Sequence, residues 1–133
     1  MSSRADIVRR SFANDPYASA QGFELVDVTD DTVVVSMTVR QDQVNFLGGT
    51  HGGVLFSLAD CAFSLASNAY GVPAVAIDTH LAITSGSDSG ETLTATAHEM
   101  TRSRSLATYR VDVERADGRT VALFTGTVFV RKS

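Results

Sequence analysis

The sequence predicts an α+β protein in which one long, buried helix lies against a curved antiparallel sheet of about five to six strands. Residues 54–70, VLFSLADCAFSLASNAY, are rich in Leu and Ala and hold no proline. Val54, Leu55, Leu58, Ala59, Ala62, Phe63, Leu65, Ala66 and Ala69 cover most of a helical circumference, the mark of a helix buried nearly all round. β-branched or alternating stretches flank this run on both sides. Two of them meet at Asp117-Gly118, a strong tight-hairpin signal.

In chain order, residues 4–13 read as a short helix, with Ile7, Val8 and Phe12 at roughly helical spacing. Asn14-Asp15-Pro16 breaks it, because the residue before proline is disfavoured in the α region. Residues 22–28 and 32–39 form an expected hairpin around Thr29-Asp30-Asp31, and Val33, Val35, Met37 and Val39 share one face. A loop over 41–50 contains Gly48-Gly49. The helix is expected over 53–70, stopped by Gly71 and Pro73. Strands are expected over 74–84, 91–100, 106–115 and 119–131. In 121–130, Val121, Leu123, Phe124, Val128, Phe129 and Val130 point both ways, so both sheet faces need cover, which favours an oligomer.

The 133 residues make a single domain (1–133, with 1–20 as a short helical lead-in). Apolar residues at 44% and charged ones at 20% place the chain among folded proteins rather than disordered ones. With 11 Lys+Arg against 15 Asp+Glu and no basic run, nucleic acid is not the expected partner. No stretch approaches the ~20 apolar residues of a membrane span, and no apolar core follows the N-terminal Arg, so neither membrane nor secretion is expected. Cys61 alone excludes an internal disulfide framework, and a reducing cytoplasm is the expected compartment. His51, His80 and His98 show no metal-ligand spacing, and no metal is expected.

The chemistry-bearing residues cluster on the long helix. Ser57, Asp60, Ser64 and Ser67 form one polar stripe on an otherwise apolar cylinder. Burying an unpaired carboxylate costs several kcal/mol, and no Lys or Arg occurs anywhere in 41–101 to offset it. Asp60 is therefore either hydrogen-bonded to backbone across an interface or poised in a pocket as a base or nucleophile. Upstream, Gly48-Gly49-Thr50-His51-Gly52-Gly53 leads into the helix. Its glycines serve a tight turn, or they let a ligand approach helix-start amides suited to stabilise an oxyanion. A rise of ~1.5 Å per residue sets Asp60 about 12 Å from Gly52 along one helix. Two antiparallel helices of a dimer would bring each Asp60 to the other chain's Gly52. Cys61 is a rival nucleophile with no cationic neighbour in sequence, which suits a small buried hydrophobe better.

His51-Gly52-Gly53-Val54-Leu55-Phe56-Ser57-Leu58-Ala59-Asp60, with Thr92–Ala97 and Thr120–Phe124, resembles the hotdog-fold acyl-CoA thioesterases, above all the group from bacterial phenylacetic acid degradation. The similarity spans about residues 14–130. The resemblance implies a helix wrapped by an antiparallel sheet, a homodimer with shared active sites that assembles as a homotetramer, and hydrolysis of aryl- or arylacetyl-CoA with no cofactor beyond the coenzyme A of the substrate. By position it makes Asp60 the catalytic base or nucleophile and the Gly52 amide the group that polarises the carbonyl. Asn45 and His51 line the site, Ser64 orients water, and Gly53 and Arg104 bind substrate. Asn45 also suits a turn, His51 a helix-start hydrogen bond and Arg104 a solvated hairpin. The chain departs from the family at His80–Gly86, where relatives carry an aromatic-Leu-Arg-Pro run. A dehydratase or hydratase of the same fold, using His80 or His98 with a carboxylate, and a non-catalytic acyl-CoA-binding module are the alternatives.

Overall fold

The computed structural model describes residues 2–131. Helix α1 (Arg4–Ala13) opens with a capping box, in which the Ser3 hydroxyl accepts from the Asp6 amide and the Asp6 carboxylate accepts from the Ser3 amide. A second helix follows where the sequence reading places only a break: α2 (Pro16–Gln21). Asp15 is its N-cap and Pro16 sits at its first turn, where the missing N–H costs nothing. Gly22 ends α2 at φ 78, a left-handed geometry that glycine adopts without strain, and this shortens the first strand.

Strands β1 (Glu24–Val28) and β2 (Thr32–Thr38) form the expected hairpin. Helix α3 (Gly52–Ser67) is followed by β3 (Ala74–Ile83), β4 (Thr92–Arg102), β5 (Leu106–Arg115) and β6 (Thr120–Val130). The six strands make one antiparallel sheet in the order β1-β2-β4-β5-β6-β3. α3 ends earlier than the apolar pattern suggests, because the Asn68 side chain ties it to β3, donating to the Ala74 carbonyl and accepting from the Ala74 amide.

The core lies between α3 and the concave sheet face. Val33, Val35 and Met37 of β2, Leu93, Ala95 and Ala97 of β4, and Val111 and Val113 of β5 are buried there as alternation predicts. From α3, Leu58 and Phe63 are fully buried, each worth about 1.5–3 kcal/mol of burial. The Phe63 ring packs 5.2 Å from Phe124 and 5.8 Å from Tyr109. That approach requires Gly126, where a Cβ would fall 2.8 Å from Phe63. On the convex face Leu123 and Phe129 stay about two-fifths exposed, and along edge strand β3 Val75 and Ile77 are exposed as well. No helix among the described residues is long and apolar enough to cross a membrane.

Candidate active site

Helix α3 begins at His51, whose Nδ1 accepts the Gly53 N–H at 2.8 Å. An accepting Nδ1 places the proton of the neutral ring on Nε2. The His51 carbonyl takes the amides of Val54 and Leu55. The Gly52 N–H is then left with no partner among the described residues, so the helix start presents one free donor at the residue the sequence marks as polarising. Gly53 carries no side chain for a steric reason: a Cβ there would lie 2.9 Å from the His51 ring.

The preceding loop is held rigidly. The Asn45 carboxamide oxygen accepts from the amides of Leu47 and Gly49, and Gly48 adopts φ 91. Thr50 joins the loop to the segment after β3 through its amide to the Ser87 carbonyl and through the buried Ser87–Thr50 hydroxyl pair at 2.7 Å. Asn45 therefore fills the turn role, its NH₂ has no partner among the described residues, and the residue lines a groove of about 730 Å³ that Arg115 and Arg119 also line.

Asp60 is half-buried on the side of α3 away from the sheet. No Lys or Arg among the described residues lines its cavity, which has a volume of about 310 Å³ and is bounded by Asp15, Tyr17, Phe23, Phe56, Ser57 and Ser64. Burial pushes its carboxyl above the ordinary carboxylate range, and the Asp15 charge adds to the push. No hydrogen bond to the described residues holds the carboxylate in its ionised form. Burial also pushes the Cys61 thiol up to about 12, so it is a buried thiol and not a nucleophile. Ser57 and Ser64 stay on the cavity with Asp60, but Ser67 does not. Its hydroxyl turns back to the Ser64 carbonyl in a fully buried position at the end of α3, and α1 packs against that helix.

Within one chain the sequence-predicted residues are thus divided. Asp60 and Ser64 share one cavity, His51 and Gly53 a neighbouring one of about 260 Å³, and Asn45 the larger groove. Arg104 lies in the β4–β5 turn, which the Val130 amide ties at Ser105, toward the C-terminal end of α3, a helix about 24 Å long whose other end is Gly52. Arg115 and Arg119, which sequence reasoning does not single out, occupy the Gly52 end instead. Tyr17 and Asp15, also missed, arrive with α2; the Asp-Pro pair is their signal. His98 lies opposite in sense to the core residues of β4 and sits 3.9 Å from Asp112, on the sheet face away from Asp60.

The family profile described as the thioesterase superfamily matches residues 47–122. The chain therefore belongs to this superfamily and is a thioester hydrolase. Within it the chain is a hotdog-fold protein of the PaaI group. It is 36% identical to the acyl-coenzyme A thioesterase PaaI of Escherichia coli K12, over 86% of this chain and 82% of that protein. The solved structure of E. coli PaaI, from the phenylacetic acid degradation operon, superposes with a TM-score of 0.94 at 32% identity, covering 98% of this chain and 94% of that one. The TT0310 protein of Thermus thermophilus is 43% identical with a TM-score of 0.85, covering 89% and 99%. A hypothetical thioesterase of Streptococcus pneumoniae, solved with coenzyme A, is 26% identical with a TM-score of 0.85, covering 93% and 97%.

Proposed function

We propose that the protein hydrolyses acyl-CoA thioesters, aryl- or arylacetyl-CoA in particular, in sites shared between two antiparallel copies of α3. The observation that carries this reading is Asp60, a carboxylate with no counterion among the described residues, raised in proton affinity and facing a cavity on the same helix whose first amide has no partner among them. The cavity beside Asp60 has aromatic walls from Tyr17, Phe23 and Phe56, which suits a ring-bearing acyl group. The relatives support the substrate class: the E. coli relative is an acyl-CoA thioesterase, and the pneumococcal structure holds coenzyme A.

In the proposed reaction the Gly52 N–H of one chain donates to the carbonyl oxygen of the thioester as that oxygen gains charge, aided by the positive end of α3. Asp60 of the other chain takes a proton from the attacking water, which Ser64, one turn on, orients. The tetrahedral intermediate then breaks its C–S bond, coenzyme A leaves as the thiolate, and the proton held by Asp60 passes to it or to solvent. Direct attack by the Asp60 carboxylate, which breaks the acyl C–S bond and releases coenzyme A as its thiolate, gives a mixed anhydride that water then opens, and uses the same geometry. Oxygen-18 from labelled water entering the protein in a single turnover identifies the second route. The His51 Nε2–H and the Asn45 NH₂ supply further donors for water or carbonyl. Antiparallel pairing also carries the β4–β5 turn with Arg104 to the neighbour's helix start, where a guanidinium meets phosphate, and the exposed edge of β3 is the surface on which such pairing forms. The convex apolar face, with Leu123 and Phe129, then serves the dimer–dimer contact of a homotetramer.

A panel of acyl-CoA thioesters, assayed beside enoyl-CoA hydration, tests the reading. Arylacetyl-CoA is expected to turn over best, hydration to be absent, and Asp60→Asn to lose at least about a hundredfold in kcat/KM. Near-normal hydrolysis by folded Asp60→Asn would remove the proposal.

A further inference from the structure

Helix α2 has a second consequence for Asp60. Its N-cap, Asp15, is fixed: Oδ1 accepts the Ala18 N–H at 3.0 Å, and Pro16 locks the following turn. Tyr17 pins α2 to α3. Since the Ser57 hydroxyl donates to the Gly53 carbonyl at 2.9 Å, the Tyr17 hydroxyl is the donor in its 2.9 Å bond to Ser57 Oγ. These contacts hold the Asp15 carboxylate on the cavity into which Asp60 opens.

We propose that Asp15 is a positioning residue for Asp60: a carboxylate built into the α2 cap, facing the same low-polarity cavity, that opposes a second negative charge there and so keeps Asp60 a stronger proton acceptor than a solvated aspartate. This role rests on the reading of Asp60 as the base. Asp15 is the one charged side chain, Asp60 apart, that lines the cavity among the described residues. α2 otherwise contributes the phenol of Tyr17, and α3 the hydroxyls of Ser57 and Ser64 and the Cys61 thiol, which burial keeps protonated. Among the buried sheet residues the one titratable side chain is that of Tyr109, whose hydroxyl donates to Glu99, and no α1 residue lines the cavity. The direction of the Asp60 shift, from burial first and Asp15 second, agrees with this arrangement. A like charge across a cavity raises an acid's affinity for its proton, and a base whose affinity lies nearer the working pH accepts protons more effectively.

Asparagine caps a helix as well as aspartate does, so Asp15→Asn removes the charge and leaves the cap. The test titrates the Asp60 carboxyl by carbon-13 NMR, assigned by loss of its signal in Asp60→Asn, and records kcat against pH in the wild-type protein, Asp15→Asn and Asp15→Ser, a second capping variant. In both Asp15 variants Asp60 is expected to titrate at lower pH. The acid limb of the kcat profile moves down with it, and plateau kcat falls about two- to threefold. KM stays near wild type and the thermal midpoint at pH 8 holds or rises as the like charge is removed, whereas loss of a purely structural cap would lower it. An unmoved Asp60 titration in folded Asp15→Asn and Asp15→Ser overturns the role of Asp15 alone. Full hydrolysis by Asp60→Asn overturns the base reading on which that role rests.

Discussion

The two sides of α3 are made from one helical sequence and do opposite things. Toward the sheet, Leu58, Ala62 and Phe63 are fully buried, and Phe63 fits against Gly126 so closely that a methyl group has no room. Away from the sheet, Ser57, Asp60 and Ser64 face a cavity roofed by a six-residue helix, and Asp60 has no counterion among the described residues. The first side supplies stability and the second gives some up. Fold and chemistry are separated here by an arc of one helix, and substitutions on the two sides should fail in different ways.

The largest stability effect belongs to the packed side. Phe63→Ala is expected to cost about 3–5 kcal/mol, read as a fall in the urea midpoint at unchanged slope. Gly126→Ala forces a Cβ to 2.8 Å from Phe63 and 2.9 Å from Phe124 and should cost about 1–3 kcal/mol by the same measurement. Equal stability of either variant to wild type would break the contrast. At the helix start, His51→Ala removes the acceptor for the Gly53 amide and should cost about 0.5–2 kcal/mol, with hydrolysis falling further than stability if the ring also serves the substrate.

The cavity side predicts the reverse sign. A carboxyl that holds its proton more tightly folded than unfolded makes stability fall as pH rises through that window, and the penalty is complete above the folded-state value. Asp60→Asn is therefore expected to raise the thermal midpoint at pH 8 while removing activity. The gain should vanish below about pH 4, where the unfolded carboxyl is protonated as well. A midpoint lowered at pH 8 would mean that Asp60 is paired and structural. The smallest effect is that of Tyr17→Phe: loss of an exposed hydrogen bond to Ser57, about 0.5 kcal/mol, with the α2 roof loosened over Asp60.

Much of this is legible in the sequence. Periodicity places α3, β2, β4, β5 and β6, because each buries a regular face, while the largely exposed edge strands β1 and β3 are read from composition and turn signals. The Asp60 stripe stands out because a carboxylate amid Leu and Ala has no local partner. The lead-in misleads, because Pro16 reads as a helix stop when, after an N-capping Asp15, it is a helix start. That ambiguity hides Asp15 and Tyr17, the α2 residues that share the acid's cavity. Arg104, Arg115 and Arg119 are equally exposed loop or strand-end charges in a linear reading. Only the pairing of β5 with β6 and of β6 with β3 decides which end of α3 each occupies. Asn45 is visible as a candidate, but its carboxamide oxygen is committed to the turn, a detail that depends on the loop closing at Gly48. Ser67 fits the stripe by spacing and leaves it by burial, because helical spacing carries no information about what crosses the helix end.

The central claim is that acid and oxyanion donor come from different chains, and subunit complementation tests it most directly. Gly52→Pro deletes the free N–H at the first helical position, where proline is tolerated, and His51 already has the extended geometry (φ −62, ψ 132) that a following proline requires. Asp60→Asn and Gly52→Pro are each expected to be inactive alone. Mixed by co-unfolding and refolding, they should recover roughly a quarter of the wild-type rate, because about half of the dimers are mixed and each of those holds one intact site. Mixtures in which hybrid dimers demonstrably form, yet whose activity stays at the level of the parents, would contradict the account.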